Sequence, residues 1–219
     1  MTVAQKGTVG SGIFTIPEVA RILDLSSKKV SYWLKEYWNN KFKDYTGVQY
    51  SWGGKHQAIN FHTLVEFYIY YQLREFGIHS KKIHEAHNVL SQVLDTSYPF
   101  AHAKLLTDGK TIFFTPDIHS VINADKSLQL NLKEVIQPFC NKIEFQDGLA
   151  TKFYPLGKKY DIVVDPSHQF GTPTIKNTNI KAATIYSLFR SGETVDAIAK
   201  HFEISPRSIR HAITYFNAA

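Results

Sequence analysis

The sequence predicts a mainly α fold with small β elements (α+β), in which two helix-turn-helix units flank a β-containing middle region. Three observations predict it. Apolar residues recur at helical spacing near both ends of the chain, each run preceded by a residue suited to cap a helix. Between them, alternating apolar runs meet at Gly53-Gly54 and Asp108-Gly109, which are hairpin turn signals. Finally, PEVARILDLSSKKVSYWLKEY lies in register with DAIAKHFEISPRSIRHAITYF, so that one pattern occurs twice.

The first element is a short helix from Ile16, with Thr15 and Glu18 as a capping box and Val19, Ile22 and Leu23 as its apolar face. Asp24 and Leu25 break it. Ser26 then caps a second helix carrying Val30, Trp33, Leu34 and Tyr37 or Trp38. Val48, Tyr50 and Trp52 alternate before the glycine pair, which suits a two-residue turn and predicts a β-wing. Asn60 caps the next helix, which stops at Gly77, and Ser80 is placed to cap another bearing Ile83, Ala86, Leu90 and Val93.

From Tyr98 the pattern becomes strand-like around Asp108-Gly109. A strand SLQLN, a helix interrupted by Pro138, the loop FYPLGKKY and the strand DIVVD follow. Three helices close the chain. Gly192 stops the first, Thr194 caps the second, and Ser205-Pro206 supplies a cap and a first-turn proline for the third. These divisions predict units at 1–95, 96–160 and 161–219.

Within the repeat, matches fall where a helix-turn-helix needs them. Ala20 over Ala199 marks the helix crossing, Leu25 over Ile204 plugs the turn, Ser26 over Ser205 caps, and Val30 over Ile209 anchors the second helix. In such a unit the first helix braces the second, whose exposed N-terminal residues can enter a major groove. The first copy exposes Ser27, Lys28, Lys29, Ser31, Tyr32 and Lys35, with Lys55 and His56 in the following wing. The second exposes Arg207, Ser208, Arg210, His211 and Thr214 as a DNA- or partner-binding surface.

Charge agrees with a nucleic-acid partner. The chain of 219 residues carries a net +6, and residues 1–60 hold eight Lys or Arg against four Asp or Glu. A single cysteine excludes a disulfide framework within one chain and fits a reducing, cytoplasmic compartment. No apolar stretch reads as a membrane span or a signal core. Catalysis is not expected: HEAH at 84–87 is one residue short of the zinc-protease spacing, and GKK at 157–159 lacks a phosphate-loop context. His84 and His87 share a helical face without an evident third ligand, so neither metal nor cofactor is expected. Phe61, Phe67, Tyr68, Tyr70, Tyr71 and Phe76 leave one alternative open, a regulator that senses an apolar effector in an aromatic pocket.

The order helix-turn-helix, wing and helix pair in the first 95 residues or so resembles the MerR-like winged helix-turn-helix domain. That resemblance implies DNA reading by ARILDLSSKKVSYW and dimerisation through the helix at 81–94. It departs at Ser31, where many such domains carry arginine. The last part, with Asp165-Pro166, Gly171, Pro173, Ile175, Thr178, Ile180, Gly192, Glu193, Ile198 and Ile209, resembles a small domain common in toxin-antitoxin loci. Asn177 and Asn179 stand where that domain more often has glycine and arginine. Together the parts resemble a VapB-type antitoxin, which implies a homodimer that neutralises a PIN-like ribonuclease toxin and represses its own promoter on double-stranded DNA.

Overall fold

The computed structural model describes residues 11–54, 56–102 and 141–218. The hairpin expected around Asp108-Gly109, the strand at 127–131, the helix around Pro138, and Lys55 lie outside them. The described architecture is mixed α and β, with short strands serving to join helices.

Strand β1 (Phe14–Thr15) runs directly into α1 (Ile16–Leu23). The Thr15 amide and hydroxyl both donate to the Glu18 carboxylate, at 2.8 and 2.7 Å, so the predicted box closes through Glu18. Asp24 adopts a left-handed conformation, and α2 (Ser27–Trp33) starts behind Ser26, whose hydroxyl accepts the Lys29 amide at 3.2 Å. The helix continues beyond Trp33 as a π-helical run, Leu34–Phe42, and ends in α3 (Lys43–Thr46). This run stacks Leu34, Trp38 and Phe42 on one fully buried face. Each such side chain contributes about 1.5–3 kcal/mol, an upper figure for burial from an extended chain.

Strands β2 (Ser51–Trp52) and β3 (Ala58–Ile59) form the expected hairpin and complete a sheet of order β1-β3-β2. Its loop is longer than the two-residue turn the glycine pair predicts, because Trp52 pairs with Ala58. Both glycines do take positive φ. At Gly53 the need is steric as well, since a Cβ would lie 2.5 Å from the His56 carbonyl oxygen.

Helix α4 (Phe61–Glu75) is capped by Asn60, which accepts the Thr63 amide at 2.8 Å. Its residues from Thr63 to Tyr70 are all buried, making it the central helix of the first core. In α5 (Ser80–Val93), Ser80 is the first helical residue rather than the cap predicted; His79 holds that position without a side-chain cap bond. A 3-10 turn, Pro99–Ala101, then closes against α4.

The middle region contributes β4 (Ile143–Gln146) and β5 (Leu149–Phe153), an antiparallel hairpin that is not among the elements expected from the sequence. Asp147 and Gly148 turn it, both with positive φ. Ile143, Ala150 and Phe153 join the core built by α1–α5. Strands β6 (Ile162–Val163) and β7 (Thr174–Ile175) pair antiparallel and introduce α6 (Ala182–Arg190), α7 (Val195–Phe202) and α8 (Pro206–Asn217). These last elements enclose a second core of Ile162, Ile175, Ile185, Ile198, Ile209 and Tyr215.

Candidate nucleic-acid interface

The internal repeat is realised in backbone geometry. Asp24 and Glu203, at equivalent positions, take φ of 53° and 56°. The following amides return to the first helix in the same way: Leu25 donates to Ala20 at 2.8 Å, and Ile204 to Ala199 at 3.1 Å. Ser205 accepts the Ser208 amide at 3.1 Å as Ser26 accepts that of Lys29, and Val30 and Ile209 are both fully buried. Small residues at the crossings and a left-handed turn thus fix both second helices.

In the first copy, Ser27, Lys28, Ser31, Tyr32 and Lys35 are exposed along one side of α2 and its continuation. Tyr32 is 55% exposed and packs edge-on against Tyr37, ring centroids 5.8 Å apart. Its interaction with Tyr37 is the main cause raising the pKa of its hydroxyl above the usual tyrosine value. Lys29 differs from its neighbours. Its ammonium lies 4.6 Å from the Tyr71 ring centroid and 5.2 Å from that of Trp33, which folds the charge over aromatic faces. His56 is exposed, and its amide closes the β2–β3 loop on the Gly53 carbonyl at 3.1 Å.

The second copy is not exposed as expected. Ser208 is buried, and its hydroxyl donates to Asp161 at 3.0 Å. His211 Nδ1 accepts the Asp161 amide at 3.0 Å, and its ring meets Tyr160 edge-on at 4.9 Å. The loop before β6 therefore lies over this helix and takes two of the predicted contact residues inward. Arg207 and Arg210 remain exposed, the former donating to the Lys159 carbonyl at 3.2 Å. Lys158 and Lys159 extend this basic edge; the GKK run carries that signal, although as a phosphate loop it fails.

Beneath α2 lies an aromatic platform. Trp33 touches Phe67 and Tyr70, and Trp38 meets Phe67 at a tilt of 58° with centroids 4.2 Å apart. Phe67 and Tyr70 are buried in this packing, Phe61 is buried beside Phe14 and Tyr68 beside Phe153, Tyr71 is covered by Lys29, and Phe76 is exposed at the end of α4. Of the aromatic residues considered for an effector pocket, Phe61, Phe67, Tyr68 and Tyr70 thus serve as core, while Phe76 lies at the surface.

The platform is keyed by Glu66, a fully buried carboxylate that no motif flags. It accepts the Trp38 indole N–H at 2.9 Å, His87 Nε2 at 3.0 Å and the Phe100 amide at 3.2 Å. Tyr45 meets His87 Nδ1 at 2.6 Å, and Phe42 stacks on the imidazole at 3.9 Å. His87 is therefore a core link between helices. His84, one turn earlier, sits against Tyr37 and Phe42; burial, helped by nearby Lys41, lowers its pKa to about 4.

By its fold the chain is an α+β protein with two helix-turn-helix units. It shares this fold with the crystal structure of Rv2018 from Mycobacterium tuberculosis, at a TM-score of 0.72 and 19% identity, over 91% of this chain and 96% of that one. Residues 162–216 match a family described as "Protein of unknown function (DUF433)". A protein of the same organism named "Putative antitoxin VapB45" is 24% identical over 176 residues, spanning 73% of this chain and 72% of that protein. Among the described residues, no helix is long and apolar enough to cross a membrane.

Proposed function

We propose that this chain is a cytoplasmic, non-catalytic antitoxin that neutralises a PIN-like ribonuclease and, as a homodimer, represses its own promoter. The observation that carries the reading is the likeness to VapB45 across most of both chains. The face formed by Ser27, Lys28, Ser31, Tyr32 and Lys35, standing out from a rigid aromatic platform, supports DNA binding.

In this reading 1–95 forms a MerR-like winged DNA-binding unit, to which Lys29, Lys55 and His56 add phosphate contacts. The helix at 81–94 contributes to the dimer. The unit at 96–160 links it to the C-terminal domain at 161–219, where Arg207 and Arg210 supply a second basic surface. With Ser208 and His211 turned inward, that surface is better suited to a partner or to phosphates than to reading bases.

The test is co-expression. A nuclease encoded beside this gene should arrest growth alone and lose its toxicity when the full chain is present. Undiminished toxicity with the two proteins at equal levels would refute the antitoxin reading.

A further inference from the structure

Beside the exposed side of α2, side chains from four elements meet: Tyr32 from α2, Tyr37 and Lys41 from the π-helical run, Tyr70 and Arg74 from α4, and His84 from α5. Tyr37 is the hub. Its ring centroid lies 5.8 Å from that of Tyr32, 5.4 Å from that of Tyr70 and 4.3 Å from that of His84, and the Lys41 ammonium is 5.5 Å from it. His84 and Tyr70 lie nearly parallel, with centroids 6.0 Å apart. The hydroxyls act on one another. Interaction with Tyr37 raises the pKa of Tyr32, and burial followed by Tyr37 raises that of Tyr70, which also responds to the Arg74 charge and to Tyr32. Tyr70 is buried and Tyr37 and His84 half-buried, whereas Tyr32, Lys41 and Arg74 stand exposed at the rim.

Lys41 and Arg74 make no ion pair among the described residues. Lys41 lies over the Tyr37 ring, and Arg74 donates through one guanidinium nitrogen to the Ile78 carbonyl at 2.9 Å, which leaves its other donors open. A carboxylate, Glu36, acts at the Tyr32 edge, and two cations against it leave the cluster positive. Both cations reach its inner side: burial, then Lys41, His87 and Arg74, lower the pKa of His84 to about 4. His84 Nε2 is itself buried without a hydrogen-bond partner. An ammonium, a guanidinium fork and phenolic hydroxyls around one hub are the donor set of an anion site, and the fork suits phosphate.

We propose that Lys41 and Arg74, aided by the Tyr32 and Tyr37 hydroxyls, hold a phosphate of the DNA backbone beyond the base-reading start of α2. The inference deepens the DNA-binding reading above and rests on it. Continuity makes the duplex the source of the phosphate, because Tyr32 belongs both to the exposed side of α2 and to this cluster. Arginine, lysine and tyrosine hydroxyls at phosphates fix the register of a protein on DNA without reading its sequence. Packing of Tyr70 and His84 against Tyr37 orders that side chain before binding, which lowers the entropy lost on contact.

The experiment measures the affinity of the full chain for its promoter and for an unrelated duplex of the same length across a range of salt, with the variants Lys41→Ala, Arg74→Ala, Arg74→Lys and Tyr37→Phe. Lys41→Ala and Arg74→Ala should each weaken binding to both duplexes alike and lower the slope of log K against log salt by about one. Arg74→Lys keeps the charge and should keep the slope. Tyr37→Phe keeps the ring and should weaken binding with the slope unchanged. Unaltered slopes in both alanine variants, where replacing Lys28 and Lys35 does lower the slope, overturn the inference alone. A melting temperature that rises in inorganic phosphate over chloride at equal ionic strength, and no longer does so in alanine variants of unaltered slope, also overturns it and assigns the site to free phosphate. A full chain that binds neither duplex overturns the DNA-binding reading as well.

Discussion

Replacing Glu66 with leucine removes one carboxylate and leaves three donors without an acceptor: the Trp38 indole, His87 Nε2 and the Phe100 amide. The site is fully buried, so solvent does not reach them without local opening. Each orphaned donor costs about 1–3 kcal/mol, and breaking a buried charged contact typically costs about 3–5 kcal/mol. We expect Glu66→Leu to lose about 4 kcal/mol, a large share of the roughly 5–15 kcal/mol that holds a domain folded. Glu66→Gln keeps a carbonyl in place and should lose about 1–2 kcal/mol. Urea unfolding followed by tryptophan fluorescence suits the test, because Trp33 and Trp38 both lie in this core. A loss below about 1 kcal/mol for Glu66→Leu, or equal losses for the two variants, would show that the carboxylate does not key the platform.

The protein should become less stable as pH falls from 6.5 towards about 4, because burial holds His84 neutral in the fold while the unfolded chain takes up the proton. With the side chain only half-buried, the loss is about 1–2 kcal/mol, and His84→Phe should flatten that part of the urea-midpoint profile. Gly171→Ala, which combines the clash with Phe14 and a φ of 88°, should lower stability by about 2–3 kcal/mol in thermal melts. Ser26→Ala and Ser205→Ala each remove a cap from one copy of the repeat and should each cost about 1 kcal/mol. A negligible effect of either in urea titrations would mean that helix start is held by packing alone.

What can be read in the sequence is mostly local. Caps, breaks and helical periodicity locate α1, α2 and α6–α8, since Thr15, Ser26, Thr194 and Ser205 act within three or four residues of themselves. The repeat is legible for the same reason, although the matching left-handed turns at Asp24 and Glu203 show only in the backbone. The β4–β5 hairpin escapes such a reading although Asp147-Gly148 carries the same turn signal as Asp108-Gly109; its flanking strands lack clean alternation because the ladder bulges and both ends of β5 meet other elements. Exposure in the second copy is not legible either, because Ser208 and His211 are turned inward by Asp161, nearly fifty residues away in sequence, and no local pattern reports such a contact. Glu66 is invisible for a related reason. A lone glutamate in an aromatic helix acquires its role only when Trp38, His87 and Phe100 converge on it.

The most direct test of DNA binding by the first helix-turn-helix is the salt dependence of promoter affinity. For the full chain, affinity should fall steeply with salt, and replacing Lys28 and Lys35 with alanine should weaken binding and reduce the slope of log K against log salt by about two, roughly one for each phosphate no longer neutralised. An unchanged slope in that variant, with Arg207→Ala and Arg210→Ala flattening it instead, would contradict the assignment of DNA binding to the first unit.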